Sequence, residues 1–157
     1  MSDHEAPAYV LEQEQFVPKP RQEVFAFFSD AYNLERLTPP FLNFKILTPA
    51  PIEMKPNAII EYSLRLYGVP LHWRTRIETY TPEDSFTDTQ ERGPYTLWHH
   101  THTFEEVEGG TLMRDVVRYR LPFGILGRIA HALFVKYSLR RIFGSRRAAV
   151  AEIFGAE

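Results

Sequence analysis

The feature that most constrains the fold is a change of hydrophobic period close to residue 124. Residues 125–154 contain no proline, and their apolar side chains follow a helical spacing. As a helix this segment would be about 45 Å long at 1.5 Å per residue. Between residues 58 and 120, apolar and polar residues alternate, which is typical of half-buried antiparallel strands. The sequence therefore predicts an antiparallel sheet followed by one long helix.

The first 40 residues add a strand and two short helices to this order. Tyr9–Val17 is the first predicted strand, Arg21–Ser29 is a helix with a wide apolar stripe, and residues 32–37 form a second, shorter helix before two prolines. Breaks at proline and glycine separate the later segments. The remaining strands are predicted at residues 41–47, 58–66, 71–80, 85–91, 95–106 and 111–120.

Length and composition indicate one domain that spans residues 1–157, of which we expect residues 1–7 to be flexible. With 44% hydrophobic residues the chain has enough apolar volume for both a core and an internal cavity. The absence of cysteine excludes disulfides, thiolate metal sites and cysteine nucleophiles. No apolar run is long enough to span a membrane, and the N-terminus lacks the pattern of a signal peptide. We therefore expect a cytoplasmic protein.

The basic residues are distributed unevenly along the chain. The net charge is −2, yet residues 114–147 hold nine arginines and lysines and a single acid, Asp115. This segment is either a solvated helix face or a contact for an anionic membrane. We predict no nucleic-acid binding, because the neighbouring aromatic residues Phe134, Tyr137 and Phe143 fit a buried stripe better. The arginines available for a membrane contact would be Arg140, Arg141, Arg146 and Arg147.

Alternation along the strands predicts which side chains face a cavity. Residues two apart on a strand share a face, and the face with the larger aromatic residues should be the inward one. The cavity would then have apolar walls and a few polar groups, as small-molecule sites usually do. The predicted ligand-binding residues are Tyr62, Trp73, Asp88, Gln90, Trp98, His100, His102, Asp115 and Tyr119.

His100 and His102 are the sharpest chemical feature of the sequence. On a strand their imidazoles point the same way, about 7 Å apart at the backbone. They are open to three interpretations. They could be structural partners of Asp88 and Asp115, or acid/base catalysts on a carbonyl substrate with Asp115 or Asp88 as orienting group. They could also join Asp88 or Asp115 as ligands of a zinc or iron centre. Because the sequence fixes no third metal ligand, we predict no metal and no cofactor. Nucleophile-elbow and phosphate-loop motifs are also missing.

Several short motifs resemble those of one known superfamily. They begin with Phe25-Ala26-Phe27-Phe28-Ser29-Asp30-Ala31, Asn33-Leu34 and Leu37-Thr38-Pro39-Pro40, and continue with Gly68-Val69-Pro70, Trp73 and Gly93-Pro94-Tyr95. The last two are Trp98-His99-His100-Thr101-His102-Thr103-Phe104 and Arg118-Tyr119-Arg120-Leu121-Pro122-Phe123-Gly124. With the order of elements, they resemble the START-like superfamily, also called SRPBCC, and within it the ligand-binding proteins of bacteria.

This resemblance implies an α+β helix-grip fold. In that fold a curved antiparallel sheet of six or seven strands wraps around a long C-terminal helix, with two short helices after the first strand and a cavity between sheet and helix. The implied function is binding or transport of a small hydrophobic molecule that is lipid-like, aromatic or polyketide-like. The alternative is an enzyme of the cyclase, dehydratase or hydrolase kind, because the superfamily contains binding proteins and enzymes alike. The oligomeric state is left open.

Overall fold

The computed structural model describes residues 7–156. The flexibility expected for residues 1–7 therefore concerns a segment that, except for Pro7, lies outside the described residues. Within the described range, the helices are α1 (Arg21–Ser29), α2 (Leu34–Leu37), α3 (Gly124–Ala130) and α4 (Lys136–Phe154). The strands are β1 (Tyr9–Val17), β2 (Lys45–Ile46), β3 (Ile59–Leu66), β4 (Val69–Thr81), β5 (Ser85–Arg92), β6 (Leu97–Val107) and β7 (Gly110–Arg120).

The strands form one curved antiparallel sheet in the order β1-β7-β6-β5-β4-β3-β2. The long β3 to β7 run as a meander, and β1 pairs with β7, so the first strand closes one edge. The C-terminal helix lies against the sheet, and the short helices follow β1. This is the α+β helix-grip arrangement that the sequence predicts, with seven strands.

The predicted strand at residues 41–47 is mostly wrong. Only Lys45–Ile46 pairs with β3, and the residues before it form a single helical turn, Pro40–Leu42. The two consecutive prolines begin this turn, because a fixed φ and a missing N–H suit the start of a helical turn better than a ladder. Asn43 follows with φ 46°, and this left-handed residue interrupts any extended chain.

An aromatic core closes one end of the sheet beneath α1. Phe104 on β6 is almost fully buried, and the ring of Phe25 meets it edge-on at 5.1 Å between centroids. Phe28 contacts the same ring at 5.6 Å. Val150 and Phe154 of α4 complete this cluster. The apolar stripe predicted for α1 is therefore what joins the short helix to both the sheet and the end of α4.

The C-terminal helix consists of α3, one wide π-helical turn (His131–Val135) and α4, without a break between them. Its buried side follows an interval of four residues, through Gly127, His131, Leu139 and Phe143. Gly127 fits because a Cβ there would lie 2.1 Å from the main-chain oxygen of Pro122. No helix in the described residues is both long and apolar enough to cross a membrane.

The aromatic residues of this helix do not form one buried stripe, contrary to the sequence analysis. Phe143 is buried, but Phe134 and Tyr137 are more than half exposed. The reason is their position: neither belongs to the four-residue interval that faces the sheet, whereas Phe143 does. Phe134 and Tyr137 lie close in sequence to buried positions but are themselves exposed, so the packing of the helix on the sheet does not explain why they are aromatic.

The four arginines that the sequence analysis assigned to an anionic membrane differ in their surroundings. Arg140 and Arg141 are exposed. The Arg146 side chain is only 12% exposed and lies beside the buried Asp115 carboxylate. Arg147 donates a hydrogen bond to the main-chain oxygen of Glu14 on β1. Two of the four guanidinium groups are therefore held by contacts with the sheet.

Candidate functional site

A mostly apolar cavity of about 200 Å³ lies between the sheet and the C-terminal helix. One end is closed by buried residues such as Ile77 and Phe86. At the other end the lining residues Leu66, Tyr67 and Leu71 belong to the β3–β4 turn and its flanks, and Tyr67 is well exposed. The cavity therefore opens towards this turn, which we call the mouth.

Six of the nine predicted ligand-binding residues line this cavity. The pairing of the strands explains how they meet, since Tyr62 lies opposite Trp73 and Asp88 lies opposite His100. The β3–β4 and β5–β6 pairings contain no bulge, so residues two apart on β3 and on β6 keep the same face. The six are Tyr62, Trp73, Asp88, Trp98, His100 and His102.

The Gln90 side chain does not line the cavity and is hydrogen-bonded to the main chain of Tyr95. Its amide nitrogen donates to the main-chain oxygen of Tyr95 at 2.6 Å, and its amide oxygen accepts from the Tyr95 N–H at 3.0 Å. Gly93 permits this, because a Cβ there would clash with the Gln90 side chain at 2.5 Å. The two hydrogen bonds close the β5–β6 connection, so Gln90 shapes the rim of the site.

Tyr119 fixes the helix to the sheet, and its side chain also does not line the cavity. Its hydroxyl is 2.7 Å from His131 Nε2, and the Tyr9 ring stacks on His131 at 3.6 Å between centroids. Both contacts lie where the π-helical turn crosses β1 and β7. Asp115 is likewise absent from the cavity wall, because the imidazoles of His100 and His102 stand in front of it.

Two aspartates and two histidines form a cluster in which Asp88, His100 and His102 line the cavity and the buried Asp115 lies behind the two imidazoles. Asp115 Oδ1 is 2.9 Å from His100 Nε2 and 3.3 Å from His102 Nδ1. On the opposite side, Asp88 Oδ2 is 2.6 Å from His102 Nε2 and 3.7 Å from His100 Nδ1. The imidazoles stack at 3.7 Å between centroids and are inclined by 29°. Each histidine therefore lies between the same two carboxylates.

Arg146 is the member of this cluster that the sequence analysis did not find. Its Nη2 atom lies 3.5 Å from Asp115 Oδ1, and its guanidinium is 5.3 Å from the Phe28 ring centroid. A signal for it exists in the sequence. Arg146 falls three residues after the buried Phe143 and four before the buried Val150, which is the spacing of the inward helix face.

Burial and the neighbouring charges shift the pKa values of the cluster residues in different directions. Burial alone would raise the pKa of Asp115, but Arg146 and the hydrogen bonds from both histidines hold that pKa well below its usual range. Burial would lower the pKa of His102, and the hydrogen bonds and charges of the two aspartates outweigh it and raise the pKa. Burial and the neighbouring His102 cation lower the pKa of His100. The surroundings therefore favour the protonated form of His102 more than that of His100.

Asp88, His100 and His102 could also supply ligands to a metal ion, since one ligand atom of each lies within 4.8 Å of the others. Imidazole lone pairs lie in the ring plane, however, and the two rings are stacked. Nearly parallel lone pairs cannot both point at one ion. A shared ion would require one ring to turn and to leave its carboxylate, so the geometry fits hydrogen bonding to the two aspartates better than metal binding.

Trp73 lines the cavity, and its indole carries a buried hydrogen-bond donor without a partner in the described part of the chain. Trp73 is buried, and none of the described residues accepts a hydrogen bond from its Nε1. Its ring is surrounded by Tyr62, Tyr95 and Trp98 at 5.2–5.9 Å between centroids. Buried donors without an acceptor are rare and require an explanation. An acceptor oxygen of a bound molecule would provide one.

Comparisons with solved structures agree with this fold. TTHA0849 from Thermus thermophilus is 18% identical with a TM-score of 0.68, and the match covers 92% of this chain and 95% of that one. Ginseng major latex-like protein 151 from Panax ginseng is 11% identical with a TM-score of 0.69, over 95% and 99% of the two chains. These likenesses show the fold alone.

A third similar structure is a nucleoside-diphosphate sugar epimerase from Corynebacterium glutamicum. It is 27% identical with a TM-score of 0.69, over 90% of this chain but only 28% of the epimerase chain. The present chain thus resembles a minor part of that protein. No curated protein sequence matches the chain.

Family membership follows from the sequence itself. The family described as "Polyketide cyclase / dehydrase and lipid transport" matches residues 17–143, which is most of the chain. The matched range includes the two histidines, the two aspartates and all residues that line the cavity except Arg146. The superfamily predicted from the motifs is thereby confirmed. This chain belongs to the polyketide cyclase/dehydrase and lipid transport family of the START-like (SRPBCC) superfamily.

Proposed function

We propose that this protein binds a small aromatic or short-chain molecule that carries an acceptor oxygen, and that it holds this molecule in the cavity. The family and the fold support a protein that binds hydrophobic ligands. The observation that carries the finer proposal is an apolar cavity lined by Trp73, whose buried Nε1 donor has no acceptor among the described residues. An oxygen that accepted this hydrogen bond would remove the cost of a buried, unsatisfied group.

The volume of the cavity supports a small ligand. An apolar cavity of about 150 Å³ is already sufficient to bind benzene. At about 200 Å³, this cavity accommodates one or two fused rings, or a short chain, in the conformation described. A long lipid chain would have to extend beyond the mouth. Aromatic and polyketide-like ligands therefore fit the cavity better than a fully enclosed lipid does.

A matched pair of probes tests this proposal. We expect acetylnaphthalene to bind at least about tenfold more tightly than ethylnaphthalene, because only the ketone accepts a hydrogen bond from Trp73. In Trp73→Phe the ratio of the two affinities should fall close to one. Any packing that the substitution removes from both probes lowers both affinities equally and cancels in the ratio. Isothermal titration calorimetry measures both affinities.

Trp98→Phe is the matched control for this experiment. It removes an indole from the same wall, 5.2 Å away between ring centroids, and leaves the Trp73 donor in place. The preference for the ketone should persist in this variant. A ratio that is equal in wild type and Trp73→Phe would contradict the proposed hydrogen bond.

A second candidate function is acid/base catalysis on a carbonyl compound in the same cavity. It is favoured by His100 and His102, whose imidazoles line the cavity and have pKa values shifted in opposite directions by their surroundings. Positioned acids and bases contribute about 10²–10⁴-fold to a rate. Turnover of a ketide substrate should then fall by that factor in His100→Gln and in His102→Gln. In His99→Gln, on the opposite face of β6, it should not change. Equal rates in all four proteins would contradict catalysis.

A further inference from the structure

The first half of the C-terminal helix exposes an apolar ridge to solvent. The ridge is continuous because its members lie on two adjacent lines of the helix, each with an interval of four or eight residues. Each side chain is between 51% and 71% exposed, and Phe123, just before the helix, is 81% exposed. The apolar ridge consists of Ile125, Leu126, Ile129, Leu133, Phe134 and Tyr137.

An exposed apolar ridge of this kind indicates a binding surface for another protein or a membrane. Single exposed apolar side chains are common on soluble proteins, but contiguous exposed patches mark interaction sites. A different set of residues on the same helix, which includes Leu139 and Phe143, packs against β7. The ridge is therefore not needed to hold the helix on the sheet.

A row of cations runs beside the ridge. Arg128, Lys136 and Arg140 are exposed at intervals of eight and four residues, and all three line an open groove between the helix and β1. Glu12 also lines this groove and lies 3.4 Å from Arg114. The whole segment from residue 116 to residue 151 contains eight arginines and lysines and no aspartate or glutamate. The surface around the ridge is therefore strongly positive.

The ridge also borders the mouth of the cavity. The Tyr67 ring lies 6.2 Å from the Phe134 ring, and the Tyr67 hydroxyl is hydrogen-bonded to Ser138 Oγ. Tyr67 and Ser138 both line the cavity, whereas Phe134 belongs to the ridge. Anything that covers the ridge would therefore lie next to the entrance.

We propose that the ridge and its cationic row attach the protein to the surface of an anionic bilayer, with the cavity mouth at the membrane. A helix that has an apolar face flanked by arginine and lysine lies in the plane of the bilayer interface. Anionic headgroups complement the cationic row, and the ridge enters the boundary of the acyl chains. This proposal goes beyond ligand binding and does not require an occupied cavity.

A second copy of the chain fits the ridge less well. A two-fold interface brings the same patch of both subunits together. The cationic row of one copy would then approach the cationic row of the other, with no acid between residues 116 and 151 to neutralise it. Like charges opposed in this way oppose association.

Flotation with lipid vesicles tests the proposal on the full chain. We expect the wild type to float with phosphatidylcholine vesicles that contain phosphatidylglycerol, to stay behind with pure phosphatidylcholine, and to be released by salt. Arg128→Gln, Lys136→Gln and Arg140→Gln together should lower the partition coefficient about a hundredfold, since each cation contributes about fivefold. The combined variant Ile125→Ser, Ile129→Ser and Leu133→Ser should abolish flotation.

Two controls isolate the surface from other effects. Lys19→Gln, Lys45→Gln and Lys55→Gln remove the same charge from exposed positions elsewhere and should weaken flotation far less. A variant with a filled cavity, Ile142→Trp, should float like the wild type, which separates membrane attachment from ligand binding. The proposal is overturned if the wild type does not float with anionic vesicles at low salt. It is also overturned if the serine variant floats undiminished, or if light scattering shows a dimer that the serine substitutions dissociate.

Discussion

We expect the replacement of Asp115 with alanine to lower the free energy of unfolding by about 3–5 kcal/mol. The carboxylate is buried and lies within 3.5 Å of His100, His102 and the Arg146 guanidinium. Without it, two positive charges stay buried with Asp88 as the sole acid of the cluster. Breaking a buried ionic network by removing one member leaves an uncompensated charge, and this is what makes the loss large. Urea denaturation measures the difference.

Two further variants determine whether charge is the cause. Asp84→Ala removes an exposed carboxylate at the β4–β5 turn, and its effect should stay within about 0.5 kcal/mol. Asp115→Leu combined with Arg146→Met removes both charges and should recover much of the stability lost in Asp115→Ala. If Asp115→Ala costs less than about 1 kcal/mol, the cluster does not carry the buried charges that we assign to it.

The same cluster predicts the direction of the pH dependence. The folded pKa of Asp115 is depressed, so its contribution to stability is present above its unfolded pKa and is lost as the pH falls through the folded value. The folded pKa of His102 is raised, so its contribution is present below 6.5 and is lost as the pH rises through the folded value. In Asp115→Ala both dependences should weaken together, because His102 loses one of its two carboxylates.

Filling the cavity is expected to weaken ligand binding strongly. The Ile142 side chain lines the cavity from α4 and is partly exposed, so a tryptophan there can enter the cavity at a stability cost of about 1–3 kcal/mol. We expect the affinity for acetylnaphthalene to fall by about 10- to 150-fold, because burying a side-chain-sized apolar group contributes roughly 1.5–3 kcal/mol. Titration calorimetry gives the affinity.

A second variant approaches the cavity from the opposite wall. Leu71→Trp, on β4, should have the same effect as Ile142→Trp although it shares no element with it. Ala148→Trp places an indole on the exposed side of α4 and should bind like the wild type. If both filled variants retained wild-type affinity while folded, the ligand would have to bind somewhere other than this cavity.

Alternation along the strands was sufficient to predict most of the cavity wall from the sequence. Strict alternation on β6 placed Trp98, His100 and His102 on one face, and the pairing of β5 with β6 contains no bulge that would reverse it. The sequence could not show that one inward face serves two purposes. The C-terminal helix covers part of it, so Tyr119 meets His131, while the open part forms the cavity.

The side chains of the helix were harder to place from the sequence, because one arginine is buried and two aromatic residues are exposed. Arg146 points inward, since a long side chain can carry its charge to a buried carboxylate. Phe134 and Tyr137 point outward, and periodicity alone does not reveal which line of a largely apolar helix faces the sheet. The contacts that decide it come from β7 and from β1, and β1 is far away from the helix in the sequence.

Native mass spectrometry of the protein incubated with acetylnaphthalene tests the central claim most directly. The account predicts a single adduct of one ligand per chain for the wild type, and the unliganded mass for Ile142→Trp under the same conditions. If the wild type shows only the unliganded mass, or if Ile142→Trp retains the adduct, the cavity between the sheet and the C-terminal helix is not the binding site.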